Sequence, residues 1–156
     1  MTDRPTPRVP PQRGAGDVAL PLELQLVLGP GLGIPVRACL RYHPAEPYAV
    51  YLDLHVALDA PITWVFAREL LATGLTEGAG PGDVSIRPGA DGSPQTVDIT
   101  LHGADSATVL RAPARQVRTF LAGTERVVPF GSEDAHLDLD GLPGWLRGDE
   151  PPEPGS

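Results

Sequence analysis

The chain has 156 residues and a formal net charge of −8, with 18 Gly, 19 Pro and one Cys, so one domain is expected and a second packed domain has little room. Gly and Pro make up nearly a quarter of the chain against 41% hydrophobic residues, which points to a folded domain with loose ends. No apolar run approaches the length of a membrane span, and Met1 leads into polar and Pro-rich residues, so a soluble, cytoplasmic chain without membrane insertion is expected. The lone Cys39 can form neither an internal disulfide nor a Cys-based zinc site, and reads as a small buried hydrophobe.

Charge is unevenly placed: residues 1 to 19 carry +1, residues 20 to 129 carry −3 and residues 130 to 156 carry −6. An acidic core lacks the basic footprint of a general nucleic-acid binder, which makes nucleic acid the weaker alternative as a partner. All twelve basic residues are Arg, and Lys and Asn are absent. Residues 1 to 19 hold four Pro and three Arg, and residues 148 to 156 hold three Pro and three acids. Neither segment carries enough buriable side chain to offset the entropy of ordering it. Both are expected to be disordered, a Pro/Arg-rich extension and an acidic tail flanking a single domain at residues 20 to 147.

Within that domain Leu22, Leu24, Leu26 and Leu28 alternate with Glu23, Gln25 and Val27, the period of a half-buried strand. A glycine-rich hairpin loop at residues 29 to 33 separates it from a second strand at 36 to 42. A turn at 43 to 47 leads to a third strand at 48 to 58, and short connections make these an antiparallel meander. A fourth strand is expected at 62 to 66 and a short helix at 67 to 73, with Gly74 as a left-handed cap. Strands follow at 83 to 87, 95 to 102 and 106 to 112. Pro113 then suits the first turn of a second helix whose apolar face is Ala114, Val117, Phe120 and Leu121, ended by Gly123. The layout is α+β, a mostly antiparallel sheet of about seven strands with two or three helices.

Leu40-Arg41-Tyr42 with Pro47-Tyr48-Ala49-Val50, Trp64 to Leu71 followed by Gly74-Leu75, and Gly80 to Val84 resemble the SsgA-like proteins of sporulating actinobacteria. Ala112 to Arg115, Phe120-Leu121, Val128-Pro129, Gly131 to Glu133 and Leu137 to Asp140 continue the resemblance in collinear order. The resemblance implies a non-enzymatic protein of sporulation and cell division that places the septum by recruiting the tubulin-like division protein FtsZ, or other division or peptidoglycan machinery. It also implies a whirly-like fold, a homotrimer joined by an intermolecular β-barrel, and a cytoplasmic location at the septum. The second function this fold implies is a single-stranded nucleic-acid-binding regulator. Two features depart from the family pattern: the extension at residues 1 to 19, and Phe130 where a second Pro is expected.

No chemistry-bearing constellation competes with this reading. His43, His55, His102 and His136 fall on separate predicted turns and strands, with no helical pair to start a metal site. Ser85, Ser93, Ser106 and Ser132 have no base nearby in sequence and no nucleophile elbow. The glycine loops at 29 to 33 and 78 to 82 match no phosphate-binding fingerprint, so both read as strand connections. Glu133, Asp134, Asp138 and Asp140 read as a solvated acidic face. No catalytic, metal or cofactor residue is assigned. Trp64 and Phe66 read as core, with Arg68 and Glu69 beside them as surface. Partner binding falls on Arg41 and Tyr48 at the ends of one turn, on Arg68, and on Arg115 and Arg118. The last two lie near a helix N-terminus, where the macrodipole disfavours positive charge.

Overall fold

In the computed structural model, residues 16–56, 59–80, 82–89 and 95–136 are described. The chain forms β1 (Val18–Gly29), β2 (Leu32–Tyr42), β3 (Ala49–His55), β4 (Ile62–Ala67), α1 (Arg68–Gly74), β5 (Val84–Pro88), β6 (Thr96–His102), β7 (Ala107–Pro113) and α2 (Ala114–Val127). These strands build one curled antiparallel sheet in the order β4-β3-β2-β1-β7-β6-β5. Two meanders, β1 to β4 and β5 to β7, therefore meet where β1 pairs with β7, and each is followed by a helix. β1 starts at Val18, two residues inside the expected extension, while residues 1 to 15 and the tail from 137 onward lie outside the described residues.

Alternation places the core. Leu22, Leu24, Val36, Ala38, Leu40, Tyr42, Val50 and Leu52 turn to one face of the first meander, and Val84, Ile86, Val97, Ile99, Leu101 and Leu110 to the same face of the second. Val117, Phe120 and Leu121 of α2 and Leu71 of α1 cover that face, joining one contiguous hydrophobic cluster. Phe66 belongs to it, and Trp64 packs against it half-buried.

Several local expectations are corrected. Gly74 is the last residue of α1 rather than a left-handed cap, and Leu75 caps the helix in a right-handed conformation. The need for glycine there is close approach: a Cβ on Gly74 would fall 2.4 Å from Ile86 Cγ2 and 2.8 Å from the Ile86 carbonyl. Gly123 does not end α2, which runs on to Val127; a Cβ at this position would meet Val18 Cγ1 at 3.3 Å. Pro113 caps α2 just ahead of its first turn, while the Ala114 N–H donates to the Gln95 carbonyl. The third strand stops at His55 rather than at residue 58. Cys39 is half-buried on the outer face of the sheet, in register with Asp53, rather than in the core.

Candidate functional site

Three surfaces carry the chemistry. The first is the β1–β2 hairpin. β1 pairs with β7 only at Gln25 and Leu26, and β2 pairs with β3 only from Arg37 to Arg41. Residues 27 to 35 thus run past the last paired residues of one or both neighbours as a two-stranded arm, turning at Gly31 with φ +68°. The alternation continues into the arm although no core is there to receive it. Leu28 is 54% exposed, Leu32 58% and Ile34 47%. Single exposed apolar residues are ordinary on a protein surface, but three gathered on one short arm are not.

The second surface is the outer face of the sheet. Arg41 Nε donates to Asp53 Oδ2 at 2.6 Å and Nη2 to Oδ1 at 3.0 Å, while Thr63 Oγ1 donates to the same Oδ1 at 2.6 Å. Burial pushes the Asp53 carboxyl up, yet the hydrogen bonds from Arg41 and Thr63 outweigh it and hold the group below the usual carboxylate range. The Arg41 guanidinium is raised, first through its hydrogen bond to Asp53, and lies 5.0 Å from the Tyr51 ring centre. Across β7 and β6, Arg111 repeats the motif on Asp98 with contacts of 2.8 and 3.1 Å. Arg41 is therefore a half-buried, bidentate partner of Asp53, positioned because residues 41 and 53 share the outward parity of adjacent strands.

The third surface is the end of the sheet where β4 passes into α1, and here sequence reasoning about Arg68 fails. Expected at the surface, Arg68 is only 1% exposed, while its neighbour Glu69 is exposed. Its Nη1 donates to the Val128 carbonyl at 2.7 Å and to Thr124 Oγ1 at 3.3 Å, and its Nη2 donates to Glu133 Oε2 at 2.7 Å. The guanidinium carbon sits 5.0 Å from the Tyr42 ring centre and 4.1 Å from that of Phe130, so the residue departing from the family pattern packs on the buried cation. Nε–H alone is buried without an acceptor. A buried charge survives only where paired and hydrogen-bonded, and the partners come from α2 and the segment after it, 56 to 65 residues downstream. Tyr48 stands beside this group: its carbonyl accepts the Arg68 N–H at 2.8 Å and its hydroxyl donates to Asp134. That hydrogen bond pushes the Tyr48 phenol up to about 12. Glu133 is thus an engaged, half-buried carboxylate, Asp134 is exposed and accepts from the Tyr48 hydroxyl, and Asp138 and Asp140 lie outside the described residues.

Arg115 and Arg118 are exposed on the first turns of α2. Nine residues separate Arg115 from Thr124, about 13 Å along the helix axis, so these arginines form a surface separate from the Tyr48–Arg68 end. The five expected partner residues therefore divide into three places: Arg41 on the outer face, Tyr48 and buried Arg68 at one end, and the α2 pair. The structure also brings together what spacing kept apart, since Ser85 Oγ lies 3.5 Å from His102 Nε2 across β5 and β6. That pair is exposed on the outer face of the sheet and shows no third group orienting the imidazole, so it lacks the parts of a nucleophilic site. The second glycine loop commits its central amide to structure, because the Ala79 N–H and C=O both bond to Ile86, at 2.7 and 2.8 Å. Among the described residues no group of three metal-ligating side chains occurs, and no helix is long and apolar enough to cross a membrane.

Comparison with known proteins places this architecture. Residues 36–133 match the family model described as Streptomyces sporulation and cell division protein, SsgA. The sporulation-specific cell division protein SsgB of Streptomyces coelicolor is 42% identical over 123 residues, 79% of this chain and 90% of that protein. Its namesake from Kineococcus radiotolerans is 39% identical over 144 residues, 90% of this chain and 85% of that protein. A solved structure of Streptomyces coelicolor SsgB superposes with a TM-score of 0.72 at 40% identity, covering 78% of this chain and 95% of its own. The SsgA-like sporulation-specific cell division protein of Thermobifida fusca gives the same TM-score at 35% identity, covering 80% and 90%. A family match over residues 36–133, with relatives at 42% and 39% identity covering most of both chains, makes the chain a member of the SsgA family of sporulation and cell division proteins.

Proposed function

We propose that this chain acts in sporulation-linked cell division as a non-enzymatic adaptor, a homo-oligomer that brings division machinery, FtsZ among it, to the site of septation in the cytoplasm. The relatives named above are sporulation-specific cell division proteins, and the chain spans nine-tenths of the Streptomyces coelicolor one. The observation that carries the adaptor reading is the projecting β1–β2 arm, whose Leu28, Leu32 and Ile34 stay exposed among the described residues. An arm of this kind stores binding energy for association and offers nothing to a reaction. Three protomers joined by such arms account for it economically, because the paired strands of each arm can continue a barrel across the interface.

Recruitment of a protein partner then falls to polar surfaces away from the arm, of which exposed Arg115 and Arg118 on α2 are the first choice. The nucleic-acid alternative is weaker because the core is acidic overall and because Arg41 and Arg111 on the outer face are each already neutralised by a bidentate aspartate. The test is genetic and biochemical together. Deleting the gene in its sporulating host is expected to abolish or misplace sporulation septa, and purified native chain is expected to co-sediment with FtsZ polymer. An Arg115→Ala, Arg118→Ala double variant should keep the fold and lose the partner. Normal septation in the deletion strain would overturn the division role; co-sedimentation undiminished in the double variant would move the partner surface off α2.

A further inference from the structure

After α2 the chain turns back over the start of α1, and residues 129 to 136 rest on the Arg68 end of the sheet. Their attachment is almost entirely polar. The 3-10 turn at Glu133–His136 buries none of its residues, and Phe130 is itself exposed. The segment is held by Glu133 on Arg68, by Asp134 on the Tyr48 hydroxyl, and by Phe130 over the guanidinium. The Gly131 N–H braces it internally by donating to Glu133 Oε1 at 2.9 Å. Beneath it the layer is different: Tyr42, Val128 and Thr124 are fully buried. A segment with few buried apolar contacts opens at lower free energy than the core it rests on. Arg68 also keeps two acceptors when the segment leaves, since Thr124 Oγ1 and the Val128 carbonyl belong to the end of α2. Gly131, at φ +95° with open space around it, supplies a pivot.

We propose that residues 129 to 136 form a clasp that opens ahead of the fold, with the Arg68–Glu133 pair as its pin and the charge of Glu133 as its trigger. Closed, this end of the molecule shows the Glu133 and Asp134 carboxylates and hides a guanidinium. Open, it uncovers Arg68 beside Tyr42, so the local surface turns from acidic to basic and fits an anionic group. The groups facing Glu133 are Arg68 from α1, Tyr42 from β2, Tyr48 from the turn before β3, and Gly131 and Asp134 from the clasp itself. The Arg68 hydrogen bond dominates and holds Glu133 below the usual carboxylate range. With the closed-state value depressed, the pin is complete above the ordinary Glu pKa of about 4.3 and is lost as pH falls through the closed-state value. Acid therefore opens the clasp.

Two readouts on the full chain test this: the phenylglyoxal modification rate of Arg68 relative to exposed Arg115, and amide-exchange protection factors. Glu133→Gln is expected to raise the relative rate at Arg68 by about tenfold and to lower protection only at residues 131 to 136, with β2 and β3 unchanged. Tyr48→Phe should act in the same direction and more weakly. In the native chain, lowering pH should strip protection from residues 131 to 136 before β2 and β3 lose theirs. An unchanged Arg68 rate in Glu133→Gln overturns the pin. Loss of protection across the sheet together with the segment, in Glu133→Gln or in the acid titration, overturns the clasp and makes the pair a fixed part of the core. Should Glu133→Gln fail to fold, Tyr48→Phe and the native acid titration decide by the same criteria.

Discussion

Replacing Leu32 by Asp tests the arm directly, because the side chain lies at the tip of a two-stranded projection and is 58% exposed within the chain. Complete burial of a Leu or Ile is worth about 1.5–3 kcal/mol, so the exposed halves of Leu28, Leu32 and Ile34 hold about 1 kcal/mol each, or about 3 kcal/mol per protomer, for a neighbour that covers them. Losing the Leu32 share alone corresponds to roughly fivefold in association constant, and the cost of desolvating a carboxylate at the same place, about 2 kcal/mol or more, adds to it. Folding of the protomer should scarcely notice, since exposed substitutions away from special features stay within about 0.5 kcal/mol. Size-exclusion chromatography with light scattering, at matched micromolar concentrations, is the assay. The native chain should elute at a multiple of 16.4 kDa, most simply three, and Leu32→Asp as a folded monomer with native far-ultraviolet circular dichroism. A native chain of monomer mass, or a variant of undiminished mass, would refute the reasoning.

Arg68→Met should cost about 1–3 kcal/mol in chemical denaturation, because the buried Val128 carbonyl loses its donor while Glu133 can turn to water; a loss below about 0.5 kcal/mol would show that the site is wetter than its 1% exposure indicates. Gly74→Ala should destabilise by about 1–2 kcal/mol by urea melting, since overpacking against Ile86 exceeds the gain of under 1 kcal/mol in helix propensity. A stabilised variant would mean that α1 moves freely on β5. In alkaline ultraviolet titration Tyr48 should ionise near 12, and Tyr42, raised chiefly by burial, should also lag an ordinary phenol. Both are raised in the fold, so the stability they confer is complete below pH 10 and is lost as pH climbs through the folded values. Tyr48→Phe should remove the latest-titrating step, and its persistence would place that step elsewhere.

Most of the fold was legible because alternation is a local signal. Val36, Ala38, Leu40 and Tyr42 announce a strand and its inward face without reference to anything distant, as do Val97, Ile99 and Leu101. What could not be read depends on contacts far along the chain. Arg68 looks like surface because a cation at a helix start is normally solvated, and the groups that bury it lie beyond residue 120. Gly74 looks like a cap because glycine often ends helices, whereas here it is Ile86 of another strand that excludes a Cβ. The arm had a readable trace that the glycines masked. Leu32 and Ile34 continue the parity of Val36, Ala38 and Leu40, so β2 could be read back to residue 32, but its overhang follows from β3 stopping at His55 rather than at residue 58.

Charge and apolar surface are distributed in opposite ways, and that difference separates the two kinds of association open to this chain. On the outer face two cations are consumed locally, Arg41 by Asp53 at 2.6 Å and Arg111 by Asp98 at 2.8 Å, each through two donors, while Arg37 and Arg87 stay exposed. At the Tyr48 end, Arg68 is consumed by Glu133. A binder of polyanions needs the reverse, cations left open to exchange counterions for phosphates. Apolar surface is instead left over at the arm, beyond the last pairs with β3 and β7, and along β4, where Ile62 and Val65 are exposed. Association through the arm therefore draws on the hydrophobic effect and should be indifferent to moderate salt, whereas the charged pairs act within the protomer to hold its strands and its last segment in register.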